Sequence, residues 1–202
     1  PAWMTDTMHV GEDIAADTFR IPAVAADGRA IESGAVHVRV MEALSGRVNN
    51  VERIVEMPVE NGAIEADVER DVLKAFVFER HNATKTHGCG LVSGFGIKGA
   101  FAQTVAHDAH NLLVVGSNDE DMALAANTLI ACGGGATAVR DGEVLGLVEL
   151  PVAGLMSTLP LEDVAAQVAG LERAWEQMGC AMPSPFITMA LLSLACIPEL
   201  RL

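Results

Sequence analysis

The sequence predicts an α+β domain: largely antiparallel β-sheets packed with two main helices, at about 119–131 and 161–178. Three observations carry this. Candidate strands come before the helices, without the regular alternation of a parallel α/β fold. Two strand pairs are separated by short turn signals, Ser45-Gly46 and Asp141-Gly142, which favour antiparallel hairpins. Two later segments repeat apolar residues every three or four positions, the helical period.

Taken in order, residues 1–34 are rich in Asp, Ala and Gly and are expected to be a connector, with the domain proper over 35–202. Over 35–44, Val36, Val38 and Val40 alternate with His37, Arg39 and Met41, a strand with one apolar face. Residues 48–59 continue the pattern and pair with it through Ser45-Gly46. Further strands are expected at 72–78, 90–97, 100–106 and 112–116. Asn118-Asp-Glu-Asp121 starts a helix, because a capping side chain and acids in the first turn suit the free N–H groups there. Met122, Ala125, Ala126 and Leu129 line one face of it, and Gly133-Gly-Gly135 ends it. Residues 136–140 and 143–150 form a hairpin around Asp141-Gly142, the strongest short hairpin signal in the chain. Pro160 with Glu162 and Asp163 opens the second helix. Val164, Val168, Leu171, Trp175 and Met178 form its buried stripe, and Gly179 stops it.

Composition narrows the classes of function. Half of the 202 residues are apolar and 20% are charged, the balance of a globular chain. The formal charge is −14, from 27 acidic and 13 basic side chains. Phosphate surfaces need clustered Lys and Arg, so this charge opposes nucleic acid and, equally, an anionic membrane. It is compatible with a neutral small molecule. No apolar run reaches the ~18 residues of a spanning helix; the most apolar stretch, 187–197, is too short. No signal peptide is visible, and a cytoplasmic location is expected. Cys89, Cys132, Cys180 and Cys196 make no Cys-x-x-Cys pair, so zinc-ribbon and thioredoxin-like readings fail. They are expected as small buried hydrophobes in a reducing compartment.

Several motifs invite over-reading. Gly94-x-Gly96-x-x-Gly99 satisfies the dinucleotide fingerprint literally, yet that mechanism needs a helix starting at the glycines. A strand over 100–106 fits better, with the glycines in a bent strand pair. Gly133-Gly-Gly135 follows a helix, so it is a C-cap and not a phosphate cradle. Glu79-Arg80-His81 ends a strand and reads as an ordinary solvated edge, slightly ahead of a functional role.

The densest chemistry lies in residues 104–111, Thr-Val-Ala-His-Asp-Ala-His-Asn. His107, Asp108, His110 and Asn111 bring together groups that donate, accept and titrate near neutral pH. Two readings stand side by side: a polar turn whose residues simply tolerate turn backbone, or a recognition site presented by rigid strands. Metal ligation by His107 and His110 is the weaker possibility, since on a regular strand residues three apart face opposite sides.

The flanking sequence adds a resemblance. Thr104 to Asn111, followed by Leu112-Leu-Val-Val-Gly116 and Asn118-Asp-Glu-Asp-Met-Ala-Leu-Ala125, resembles the C-terminal domain of bacterial adenine deaminase. So do Phe78-Glu-Arg-His81 and Gly94-Phe-Gly-Ile-Lys98 upstream. Downstream, Gly133-Gly-Gly135, Leu150-Pro-Val-Ala-Gly-Leu-Met-Ser157, Pro185-Phe-Ile-Thr188 and Ile197-Pro-Glu-Leu200 continue the pattern. The opening Pro1-Ala-Trp3 with Thr7 is similar to the segment where that family leaves its catalytic barrel. One departure is visible: Lys98 is followed directly by Gly99, where the family usually carries a further basic residue.

The resemblance implies hydrolysis of adenine to hypoxanthine and ammonia in purine salvage. It implies an amidohydrolase barrel whose Mn or Fe ion activates water for attack on the purine C6, with a carboxylate shuttling protons. Such a barrel needs about 250 residues. The six histidines, at 9, 37, 81, 87, 107 and 110, contain no His-x-His pair of the superfamily's metal site, and no initiator Met opens the chain. The chain is therefore expected to be the C-terminal domain of a longer enzyme, inactive alone, with the metal ligands and catalytic groups in the absent barrel. The expected partners are adenine, that barrel and further copies of the chain. This domain is left to cover the site, exclude water and recognise the purine edge through His107, Asp108, His110 and Asn111. Two alternatives remain. One is a non-catalytic packing or oligomerisation domain with an exposed apolar patch; the other is a nucleotide-binding module, which a helix starting at Gly99 would favour.

Overall fold

The computed structural model describes every residue except Ser184, Pro198 and Arg201. Its strands are β1 (Ile21–Pro22), β2 (Gly34–Ala43), β3 (Asn50–Val59), β4 (Ala63–Ile64), β5 (Leu73–Phe78), β6 (His87–Ser93), β7 (Ala100–Gln103) and β8 (Leu112–Gly116). Helix α1 (Asp119–Cys132) follows, then β9 (Gly135–Arg140), β10 (Glu143–Glu149), α2 (Leu161–Gln177) and α3 (Pro185–Ala190). Eight strands form one sheet in the order β10-β9-β7-β8-β5-β6-β2-β3. Every pairing in it is antiparallel except β2 with β6. The remaining two strands, β1 and β4, pair with each other. The fold is α+β, as the sequence predicts.

Helices cover both faces of the sheet. Alternation along β8 shows why two layers are needed: Leu112 and Val114 enter one core with Phe76, Met122 and Leu129 of α1. Leu113 and Val115 enter the other with Phe101, with Leu171 and Trp175 of α2, and with Met178 at its C-cap. A strand buried on both faces reads as a continuous apolar run, which is what Leu112-Leu-Val-Val is.

Local chemistry fixes the helix ends. The Asn118 side chain accepts from the Asp121 N–H at 2.8 Å, and Gly133 adopts the left-handed conformation at the C-cap. Asp121 then accepts from the N–H groups of Asp141 and Gly142, at 3.1 and 2.8 Å. The β9–β10 turn is thus fastened to the start of α1.

Two expectations need correction, those for the α2 stripe and for the cysteines. Residues 1–34, expected as a connector, are also core: Val10, Ile14, Phe19 and Ile21 are buried, and the Phe19 ring lies 5.0 Å from that of Phe76. The α2 stripe is buried only in its second half. Val168 is 40% exposed, because the first half of α2 forms one wall of an open apolar groove of about 560 Å³ whose far wall includes Phe186 and Ile187. Of the cysteines, only Cys180 is buried; Cys132 is half-buried, and Cys89 and Cys196 are exposed. Pro198, within the matched Ile197–Leu200 run, lies outside the described residues.

The glycine motif is structural. Ala100–Gln103 is a strand, not a helix. Gly94 and Gly99 have φ of +105° and +115°, and a Cβ there would collide with the carbonyl oxygens of Ala43 and Val139. Asp71 accepts from the N–H groups of Gly94 and Gly96 at 2.6 and 2.8 Å.

Candidate functional site

The His-rich segment is the connection between β7 and β8. Both strands are wholly buried and antiparallel to each other, so the turn rises from a rigid base. Its backbone is gripped from two sides. On one side, the Ala190 carbonyl at the end of α3 accepts from the His107 N–H at 2.9 Å, and the Ser193 hydroxyl donates to the His107 carbonyl at 2.9 Å. Across the turn, Arg80 Nε donates to the His110 carbonyl at 2.6 Å. His81 Nε2 lies 2.8 Å from the Ala109 carbonyl. Within the turn, the His110 N–H donates to the Ala106 carbonyl at 2.7 Å.

With the backbone held, the side chains divide. Asp108 is exposed, while His107, His110 and Asn111 are half-buried. The two imidazoles meet edge to face, with ring centroids 5.3 Å apart. His110 Nδ1 and Asn111 Oδ1 are buried and, among the described residues, have no hydrogen-bond partner. Asn111 also lines a cleft with Glu79 and His87. Burial pushes the His110 pKa down, and the neighbouring His107 and Arg80 charges push the same way. A neutral imidazole offers both a donor and an acceptor.

Arg80 is what sequence reasoning missed. It is no solvated edge: it is 1% exposed. Besides His110, its guanidinium donates to the carbonyls of Thr7 and Ala153, each at 2.8 Å. Among the described residues it has no carboxylate at ion-pair distance. The signal lay in what precedes it. The run Leu73–Phe78 is apolar apart from Lys74 and is buried on both faces.

The metal ion implied by the resemblance does not fit here. Among the described residues, no group of three His, Cys, Asp or Glu side chains is placed to hold a metal ion. The His107–His110 pair alone is not a complete donor set. Nor, among the described residues, is any helix long and apolar enough to cross a membrane.

Residues 48–202 match the family described as adenine deaminase C-terminal domain. The chain belongs to this family. It is 56% identical over 98% of its length to an adenine deaminase of Clostridium botulinum (strain ATCC 19397 / Type A). It is 52% identical over its full length to that of Moorella thermoacetica, and 36% identical, again over its full length, to that of Desulforamulus reducens. It spans only about a third of the length of these relatives, 32–33%. The family's domain thus accounts for residues 48–202, and the share of the relatives left uncovered implies a further domain beside it.

Proposed function

We propose that the full-length protein hydrolyses adenine to hypoxanthine and ammonia in the cytoplasm, and that this domain covers the active site and contributes to purine recognition. The observation that carries the reading is the likeness, end to end, to proteins named adenine deaminase. The chemistry of the His107–Asn111 turn supports the role given to this domain. The turn holds an exposed carboxylate and two imidazoles on a backbone fixed at both ends, suited to the ring nitrogens and exocyclic amine of a purine. In this reading Asp108 and His107 face the mouth of the catalytic barrel, and His110 and Asn111 complete the contact. The catalytic groups and the Mn or Fe ion belong to the remainder of the protein.

Ammonia release from adenine, with Mn²⁺ or Fe²⁺ added, tests the assignment. The full-length protein will turn over and the purified 202-residue chain will not. Turnover by the chain alone overturns the division of labour, and a metal-loaded full-length protein inert toward adenine overturns the substrate.

A second reading, a packing or oligomerisation domain, is favoured by the apolar groove between α2 and α3. Val168 and Ile187, which line it, are 40% and 49% exposed, and exposed apolar clusters of this kind mark contact surfaces. The two readings separate on Asp108, as taken up in the Discussion.

A further inference from the structure

The geometry points to Arg80 and His81 as positioning residues that set the place of the His107–Asn111 turn; this rests on the purine-recognition reading above. Two consecutive side chains at the end of β5 take two consecutive carbonyls of the turn: Arg80 reaches that of His110 and His81 that of Ala109. Both contacts fall just after Asp108 and constrain its backbone without touching its carboxylate.

The design around Arg80 fits positioning better than simple packing. A buried charge is costly, and apolar packing of similar volume commonly stabilises as well or better. Here the guanidinium fork instead joins three segments distant in sequence, through the carbonyls of Thr7, His110 and Ala153. A planar fork of fixed donors does this where a Lys ammonium on a flexible stem does not. The seat is built for it: Gly154 has φ of +70°, and a Cβ there would lie 2.8 Å from the guanidinium. Gly154 is held in turn, its carbonyl accepting from the buried Thr104 hydroxyl at 2.6 Å. Thr104 directly follows β7, so the seat and the turn hang from one strand. His81, by contrast, is exposed, and its removal leaves the core intact.

The experiment is a double-mutant cycle in the full-length enzyme, with kcat/KM for adenine as readout and Arg80→Lys, His81→Ala and Asp108→Asn as variants. His81→Ala is expected to lower kcat/KM about 10-fold with an unchanged unfolding midpoint. In the Asp108→Asn background the same change is expected to cost less than about 2-fold, because residues acting through one contact are not additive. Arg80→Lys is expected to lose activity in the same coupled way. Unchanged activity in His81→Ala and Arg80→Lys, with Asp108→Asn impaired, overturns the positioning role and leaves the recognition reading standing. Fully additive losses also overturn it. If Asp108→Asn is itself as active as the parent, the recognition reading fails and takes this inference with it.

Discussion

Trp175→Ala will destabilise the domain by about 3–5 kcal/mol, the usual loss for a large core aromatic. Trp175 is 2% exposed and closes the α2 side of the sheet. Its ring lies 4.3 Å from that of Phe101 and 6.4 Å from that of Phe95, centroid to centroid. Each aromatic pair adds to simple area burial, and α2 has no other aromatic to replace it. Chemical denaturation of the 202-residue chain measures the loss as a fall in midpoint at constant slope. An unchanged midpoint contradicts the two-layer core. A loss confined to α2, seen as early exchange of its amides, would place the helix in a separate cooperative unit.

Lys74→Ala is expected to cost about 2–5 kcal/mol, the range for truncating a long core side chain to Ala; the two carboxylates it leaves behind are partly exposed. Lys74 is fully buried in β5, with Nζ 2.6 Å from Glu65 and 2.8 Å from Asp119. Asp119 begins α1, so the ammonium ties the central strand to the helix above it. Lys74→Met keeps the apolar volume and should lose less. Its pH dependence is the sharper test. Burial raises the Asp119 pKa, and Lys74 opposes that rise. Without the lysine the folded-state pKa climbs further above the unfolded value. A carboxyl so raised binds its proton more tightly folded than unfolded, and its unfavourable contribution grows as pH rises through the carboxylate range. The deficit of Lys74→Met relative to the parent should therefore narrow as pH falls toward 3.8, the ordinary aspartate value. A deficit that widens in acid contradicts the pairing.

Lys74 and Arg80 also show where sequence reading stops. Periodicity exposes elements whose local signals agree: 112–116 is legible because both faces demand apolar residues. The start of α1 is legible because Asn118 is followed by three acids, and the β9–β10 hairpin because Asp141-Gly142 fits one turn type. What periodicity cannot carry is the partner of a polar residue. Glu79-Arg80-His81 looks solvated because three polar residues at a strand end usually are. The carbonyls that enclose Arg80 come from residues 7, 110 and 153, and no local pattern announces them. The same limit explains α2. Val164, Val168, Leu171 and Trp175 share one helical face, but only the second half of it is buried. It also explains residues 1–34, whose buried residues are too scattered among Asp, Ala and Gly to show a period. For the site, the sequence located the groups of the His107–Asn111 turn. It did not show that their backbone is clamped or that Asp108 is the exposed member.

The recognition role given to this domain turns on that exposed carboxylate. Asp108→Asn in the full-length enzyme, assayed as kcat/KM for adenine alongside bound metal, tests it most directly. The account predicts a loss of at least ~10-fold, about 1.4 kcal/mol of transition-state stabilisation, with metal content unchanged. Full activity with a lowered unfolding temperature would contradict it and leave the turn a structural part of a packing domain.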